Sequence, residues 1–171
     1  MNPDRRLLVL ACSVAAWLPA AAIAGQQPRP PVSWSARIAP GAAPVRTGSH
    51  LVLAVTATIQ EGWHVYGPEE LPNGPRPLRI TVAAGQPFTA GKLEAPEPDR
   101  ELDSAFNQVT AFYSKTTTFR LPVTVAAGTS PGPREIALEI RFQACDGRIC
   151  LPGRTTKLSV PVTVEKGRPT P

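Results

Sequence analysis

The chain has 171 residues, with 18 Lys and Arg against 13 Asp and Glu and a formal net charge of +5, long enough for one domain with its own core. Its basic residues are scattered rather than striped with aromatics, which argues against nucleic acid as a partner. Its 21 prolines would interrupt most helices, and no window of useful length carries a 3.6-residue period, so an all-β fold is expected.

Residues 1–24 read as a secretory signal peptide. Arg5 and Arg6 supply a basic start, residues 7–18 an apolar run, and Ala22-Ile23-Ala24 a small-x-small cleavage site before Gly25. Cys12 lies inside it after Val9-Leu10-Ala11, a faint lipoprotein-like box with too little apolar sequence ahead of it. Cleavage after Ala24 removes Cys12 and leaves an even pair, Cys145 and Cys150, in a compartment where disulfides persist. No later apolar run approaches the roughly 18 residues that span a bilayer, so no membrane span is expected once the signal is gone.

A Pro-rich linker over residues 25–32 precedes a domain over 33–165, and residues 166–171 read as a disordered tail. Within the domain, strands are expected over residues 33–38, 50–59, 62–66, 78–82 and 117–125, followed by a strand hairpin around the cysteines. Residues 50–59 place Leu51, Leu53, Val55, Ala57 and Ile59 on one face, and residues 117–125 do the same with Phe119, Leu121, Val123 and Val125. Seven or more short strands with regular turn signals predict an immunoglobulin-like β-sandwich. Two connections are long. Residues 67–77 are rich in Pro and Gly, and residues 94–108 are acidic and carry one large apolar side chain, Phe106, as a loop that would need something to cover. Glu61, Glu69, Glu70, Glu94, Glu97, Asp99, Glu101 and Asp103 make this middle region acidic, a face that could help select a protein partner.

The most informative stretch is residues 142–153. Before it, Ile136, Leu138, Ile140, Phe142 and Ala144 alternate with Ala137, Glu139, Arg141 and Gln143; after it, Thr156, Leu158, Val160, Val162 and Val164 repeat the pattern. Asp146-Gly147 is a tight-turn pair. A four-residue loop sets its flanking residues opposite one another at roughly 4.5–5.5 Å between Cα atoms, within the roughly 4.4–6.8 Å a disulfide needs. So small a ring stabilises by only about 2 kcal/mol, against about 4.7 for a ring of 100 residues. Spacing alone leaves both a structural staple and a redox-active pair open.

Other chemistry fits less well. Gly128-Thr129-Ser130-Pro131-Gly132 matches the Gly-x-Ser-x-Gly elbow of hydrolases, but Pro131 lacks the N–H the oxyanion hole requires, so the segment reads as a hairpin turn. A metal site built from Cys145, Cys150, His64 and His50 lacks a recognised ligand spacing, and no cofactor is expected.

Gln143-Ala144-Cys145 with Cys150-Leu151-Pro152, on a hairpin in an exported β domain, resembles the N-terminal domain of the thiol:disulfide interchange protein DsbD family. Gly62-Trp63-His64-Val65-Tyr66 resembles that family's aromatic strand near the active site. Phe106, ahead of Tyr113, sits where the family carries a cap-loop phenylalanine, and Leu121-Pro122-Val123-Thr124 matches its following strand. The similarity runs over about residues 34–164.

The resemblance implies a periplasmic sandwich that acts as a protein-disulfide reductase component. Cys145 and Cys150 would be the redox pair, Phe106 its shield, and Tyr66 with His64 part of its lining. Electrons would come from a membrane thiol reductase or a thioredoxin-like donor. They would pass to thioredoxin-fold acceptors such as disulfide isomerases or cytochrome c maturation thioredoxins. Four residues separate the cysteines here, where familiar members carry one more, and Leu151-Pro152-Gly153 replaces Tyr-Pro-Pro. Those members fuse the domain to a membrane domain and a thioredoxin domain; this sequence carries neither, so the donor is expected on separate chains. No helix N-terminus that would activate a nucleophilic cysteine is evident, so the pair is expected to be attacked by a partner rather than to attack. The competing class is a non-enzymatic periplasmic binding or chaperone module with a structural hairpin disulfide.

Overall fold

The computed structural model describes residues 30–41 and 44–167. The expected signal peptide and most of the linker lie outside the described residues. Eleven strands follow: β1 (Val32–Ile38), β2 (His50–Ile59), β3 (His64–Tyr66), β4 (Arg79–Val82), β5 (Phe88–Ala90), β6 (Asp99–Asp103), β7 (Gln108–Tyr113), β8 (Thr117–Val125), β9 (Gly132–Phe142), β10 (Ala144–Cys145) and β11 (Arg154–Val164). The described residues contain no helix, and none long and apolar enough to cross a membrane.

All pairing between strands is antiparallel, in three sheets ordered β1-β2-β8-β5, β10-β3-β7-β6 and β11-β9-β4. Alternation drives the assembly. Leu51, Leu53, Val55 and Ala57 from β2, Phe119, Leu121, Val123 and Val125 from β8, and Ile136, Leu138 and Ile140 from β9 are buried in a single core. Each such side chain contributes about 1.5–3 kcal/mol when removed from water. Trp34 packs on this core against Phe119 and Phe142, with ring centroids 6.1 and 5.3 Å away. The fold is the expected all-β immunoglobulin-like sandwich with a cysteine-bearing hairpin.

Several boundaries differ from the sequence expectation. Val32, placed in the linker, is buried and opens β1. The start of the expected tail is held: the Gly167 N–H donates to Thr47 Oγ1 at 2.9 Å, just after Glu165 pairs with Arg46. The turn through Ser130 joins β8 to β9, which lie in different sheets, so it is a corner rather than a hairpin turn. The acidic connection over residues 94–108 is no unstructured loop. It contains β6, which pairs with β7 from Asp99↔Phe112 to Asp103↔Gln108 and forms a two-stranded flap with Asn107 at φ 53° in its tip.

One local irregularity positions the site. β9 and β11 pair in a continuous ladder that ends at Phe142↔Arg154, and the next pair is Cys145↔Cys150. Two residues on one side therefore oppose three on the other, a bulge that bends and re-aims the strand. Beyond it β10 leaves the β9 sheet and pairs with β3. The expectation that Cys145 continues the β9 strand is corrected here: the chain changes sheets at Gln143. That side chain braces the crossing. Its Oε1 accepts from the Arg76 N–H at 2.9 Å and its Nε2 donates to the Leu151 carbonyl at 3.3 Å.

Candidate functional site

The crossing puts Cys145 on the sheet face opposite the core. Its neighbour Ala144 points inward with Val65, while Cys145 and His64, directly paired, share the outer face. The same face carries Tyr66 on β3, Thr110 and Phe112 on β7, and Glu101 and Asp103 on β6, because side chains two apart on a strand lie on one side. Together with the loop from Asp146 to Cys150 they line an open cleft of about 310 Å³.

Cys145 and Cys150 form a disulfide across the loop mouth, with Cα atoms 4.1 Å apart, slightly closer than the range expected for a directly opposed pair. The sulfurs are inequivalent. Cys145 is 2% exposed, whereas Cys150 is exposed. The loop between them is a tight Asx turn: Asp146 Oδ1 accepts the Arg148 and Ile149 N–H groups, both at 2.9 Å, and Gly147 takes φ 82°. Those two backbone bonds hold the Asp146 carboxyl below its usual range.

Tyr66 donates its hydroxyl hydrogen to Asp103 Oδ2 at 2.7 Å, and the Tyr66 hydroxyl oxygen lies 3.9 Å from Cys150 Sγ. This bond ties the flap to β3 over the disulfide. Burial, then the bond to Asp103, push the Tyr66 phenol far above its ordinary value. His64 packs edge-on to Tyr66 and tilted against Phe112, at 5.1 and 5.0 Å between centroids. Burial lowers its affinity for protons, and Asp103, Asp146 and Glu101 act in the opposite sense. Phe106, half-buried at the flap tip, stands edge-on to Tyr66 at 5.9 Å, so it reaches the disulfide through that ring. The flap is braced from the other connection by an Arg100–Glu69 ion pair at 3.0 Å and by Gln108 donating to the Pro72 carbonyl at 3.4 Å.

The structure thus brings together Cys145, Cys150, His64, Tyr66 and Phe106, all read from the sequence. His50 lies apart, bonded to Thr124 across β2 and β8. Asp103, Phe112 and Thr110 were not singled out as site residues. The alternation of Thr110 and Phe112 about Ala111 was a usable signal; for Asp103 there was none, since its place depends on the β6–β7 pairing. Leu102, Val109 and Ile149 are large apolar side chains left exposed, two on the flap and one on the disulfide loop.

The family described as Thiol:disulfide interchange protein DsbD, N-terminal, matches residues 36–161. No curated protein matches the chain. Among solved structures, the N-terminal periplasmic domain of ScsB from Proteus mirabilis is similar at 15% identity and a TM-score of 0.42, over 77% of this chain and 44% of that one. The seventh ScaB type I cohesin from Pseudobacteroides cellulosolvens is similar at 10% identity and a TM-score of 0.39, over 80% of this chain and 94% of that one. The chain therefore spans less than half the length of the ScsB chain.

Proposed function

From a chain that belongs to the DsbD N-terminal family, we infer a thiol–disulfide exchange module that relays reducing equivalents through Cys145 and Cys150. The observation that carries the reading is the inequality of the two sulfurs: one exposed at the mouth of a cleft, the other buried beneath it. An incoming thiolate must reach the sulfur it attacks, so Cys150 is the sulfur attacked and Cys145 the leaving group. The flap, through Phe106 and Tyr66, screens one side of the pair between encounters.

A reduced partner's thiolate attacks Cys150 Sγ, the Cys145–Cys150 bond breaks, and Cys145 departs as the thiolate. A second partner thiol then displaces Cys150, which leaves the partner oxidised and this domain a dithiol. The reverse sequence hands both electrons to an oxidised acceptor. The domain works in the periplasm, taking electrons from a membrane or thioredoxin-like donor and giving them to thioredoxin-fold acceptors. Exposed Leu102 and Ile149 at the cleft give such a partner apolar footholds.

Single replacement of each cysteine by Ala, with a thioredoxin-fold partner lacking its resolving cysteine, tests the reading. Peptide mapping is expected to find the trapped complex through Cys150 in Cys145→Ala and little complex in Cys150→Ala. Trapping mainly through Cys145 reverses the assignment. Trapping through neither leaves an inert structural disulfide on a binding module.

A further inference from the structure

Exchange through Cys150 makes a demand that the reading above does not meet. The leaving sulfur, Cys145, is almost wholly buried. Its thiolate would form beside Asp146, Asp103 and Glu101, the three carboxylates that act on the same side of the cleft. A buried anion facing like charges is disfavoured on both counts, so departure is slow unless a proton meets it.

Two protic side chains on β3 face the pair. Tyr66 is not free to supply the proton, because its hydroxyl hydrogen is committed to Asp103 at 2.7 Å and it lies against the other sulfur, Cys150. His64 is placed for Cys145. The two residues are directly opposed in the β10–β3 pair, which sets Cβ atoms roughly 4.5–5.5 Å apart on one face, and both line the cleft. Among the described residues no hydrogen bond engages its ring nitrogens.

We propose that His64 is the proton carrier for the Cys145 sulfur, a catalytic role in addition to its packing between Tyr66 and Phe112. The proposal rests on the exchange reading and adds its proton path. As the partner thiolate bonds to Cys150 Sγ, the electron pair of the broken S–S bond goes to Cys145 Sγ, which takes a proton from the imidazolium. The imidazole regains a proton from water through the open cleft. In the reverse direction neutral imidazole removes the Cys145 S–H proton, and the resulting thiolate attacks Cys150 Sγ of the mixed disulfide and expels the partner's thiolate.

The groups facing His64 fit this role. Tyr66 lies on its own strand, Glu101 and Asp103 on β6, Asp146 and Arg148 on the disulfide loop, and Cys145 on β10, while β7 offers only the uncharged Thr110 and Phe112. In the oxidised protein burial lowers the ring's proton affinity, so the imidazolium that donates is formed from solvent through the open cleft, more often as pH falls. As the S–S bond breaks, negative charge develops on the sulfur directly opposite the ring and raises its proton affinity at the moment the proton moves.

The test uses the full chain and two readouts. The first is proton NMR titration of His64 in the oxidised and dithiothreitol-reduced protein. Its resonances are expected to gain a second titration step on reduction, as the Cys145 thiol opposite the ring ionises at higher pH. The second is the rate of reduction by dithiothreitol per unit thiolate, from pH 5.5 to 8.5, in wild type, His64→Phe and His64→Gln. His64→Phe keeps an aromatic ring between Tyr66 and Phe112, and His64→Gln keeps a polar side chain. Both are expected to lose roughly tenfold at the acid end, below the usual general-acid range of about 10²–10⁴ because a thiolate is already a fair leaving group. A His64 titration curve unchanged by reduction across the whole range, or variant profiles parallel to wild type, overturns the role of His64 and leaves the exchange reading intact. A wild-type pair that stays oxidised in the folded protein under dithiothreitol overturns the exchange reading and this one with it.

Discussion

His64 and Tyr66, two apart on one short strand, each serve one sulfur, and their titration ties the site to stability. Burial holds the proton affinity of His64 below its ordinary value. Between that lowered value and about pH 6.5, the unfolded chain binds more protons than the folded one, so stability rises with pH in this window. The oxidised protein is expected to lose stability as pH falls below about 6.5, and that loss ends once pH passes the folded value. Urea midpoints at pH 7.5 and 5.5 check this, and His64→Phe is expected to show a smaller difference between them. Tyr66 has the opposite sign. Its raised phenol means the folded state keeps a proton that the unfolded chain releases above about pH 10, so stability falls as pH rises past that point.

At the scale of elements, the flap is held by a few polar contacts and has no core of its own. All of β6 except Asp103 is exposed, and its tie to the body over the disulfide is the Tyr66–Asp103 bond. Tyr66→Phe is expected to cost about 1.5–3 kcal/mol, the range for a hydrogen bond to a charged group, and to speed amide exchange across β6 and the start of β7. Unchanged exchange there would mean the Arg100–Glu69 and Gln108–Pro72 contacts suffice. Phe106→Ala is expected to leave stability within about 1 kcal/mol, because the ring meets Tyr66 at a loop tip, and to speed reduction of the pair by dithiothreitol. Equal rates would remove Phe106 as a cover, and a large loss of stability would make it a core residue. β6 was illegible in the sequence because it buries no face. Its one large apolar residue, Leu102, is 69% exposed, so no buried face imposes a period of two. Strands β2 and β8 were readable to the residue because each buries one face completely.

Across the whole molecule, the sequence carried the fold class and the cysteine pair that the structure shows bridged, and the topology supplied its arrangement. Cys145 and Cys150 were readable because alternation on either side brings them opposite each other. The change of sheet at Gln143 was not, since Phe142 and Ala144 keep the alternation across the bulge while their pairing partners change from β11 to β3. That crossing turns a hairpin disulfide into one with a buried and an exposed cysteine, screened on one side by a flap from a distant part of the chain. A ring of this size adds only about 2 kcal/mol to stability, so we assign the bridge to exchange rather than to holding the sandwich together. Equilibrium titration of the folded protein against defined ratios of reduced and oxidised glutathione tests that assignment most directly. The pair is expected to reduce reversibly within the range the glutathione couple reaches, at a potential above about −300 mV, with the sandwich intact. A pair that stays oxidised down to about −300 mV, and yields only when the protein unfolds, would be a structural staple and would contradict the account.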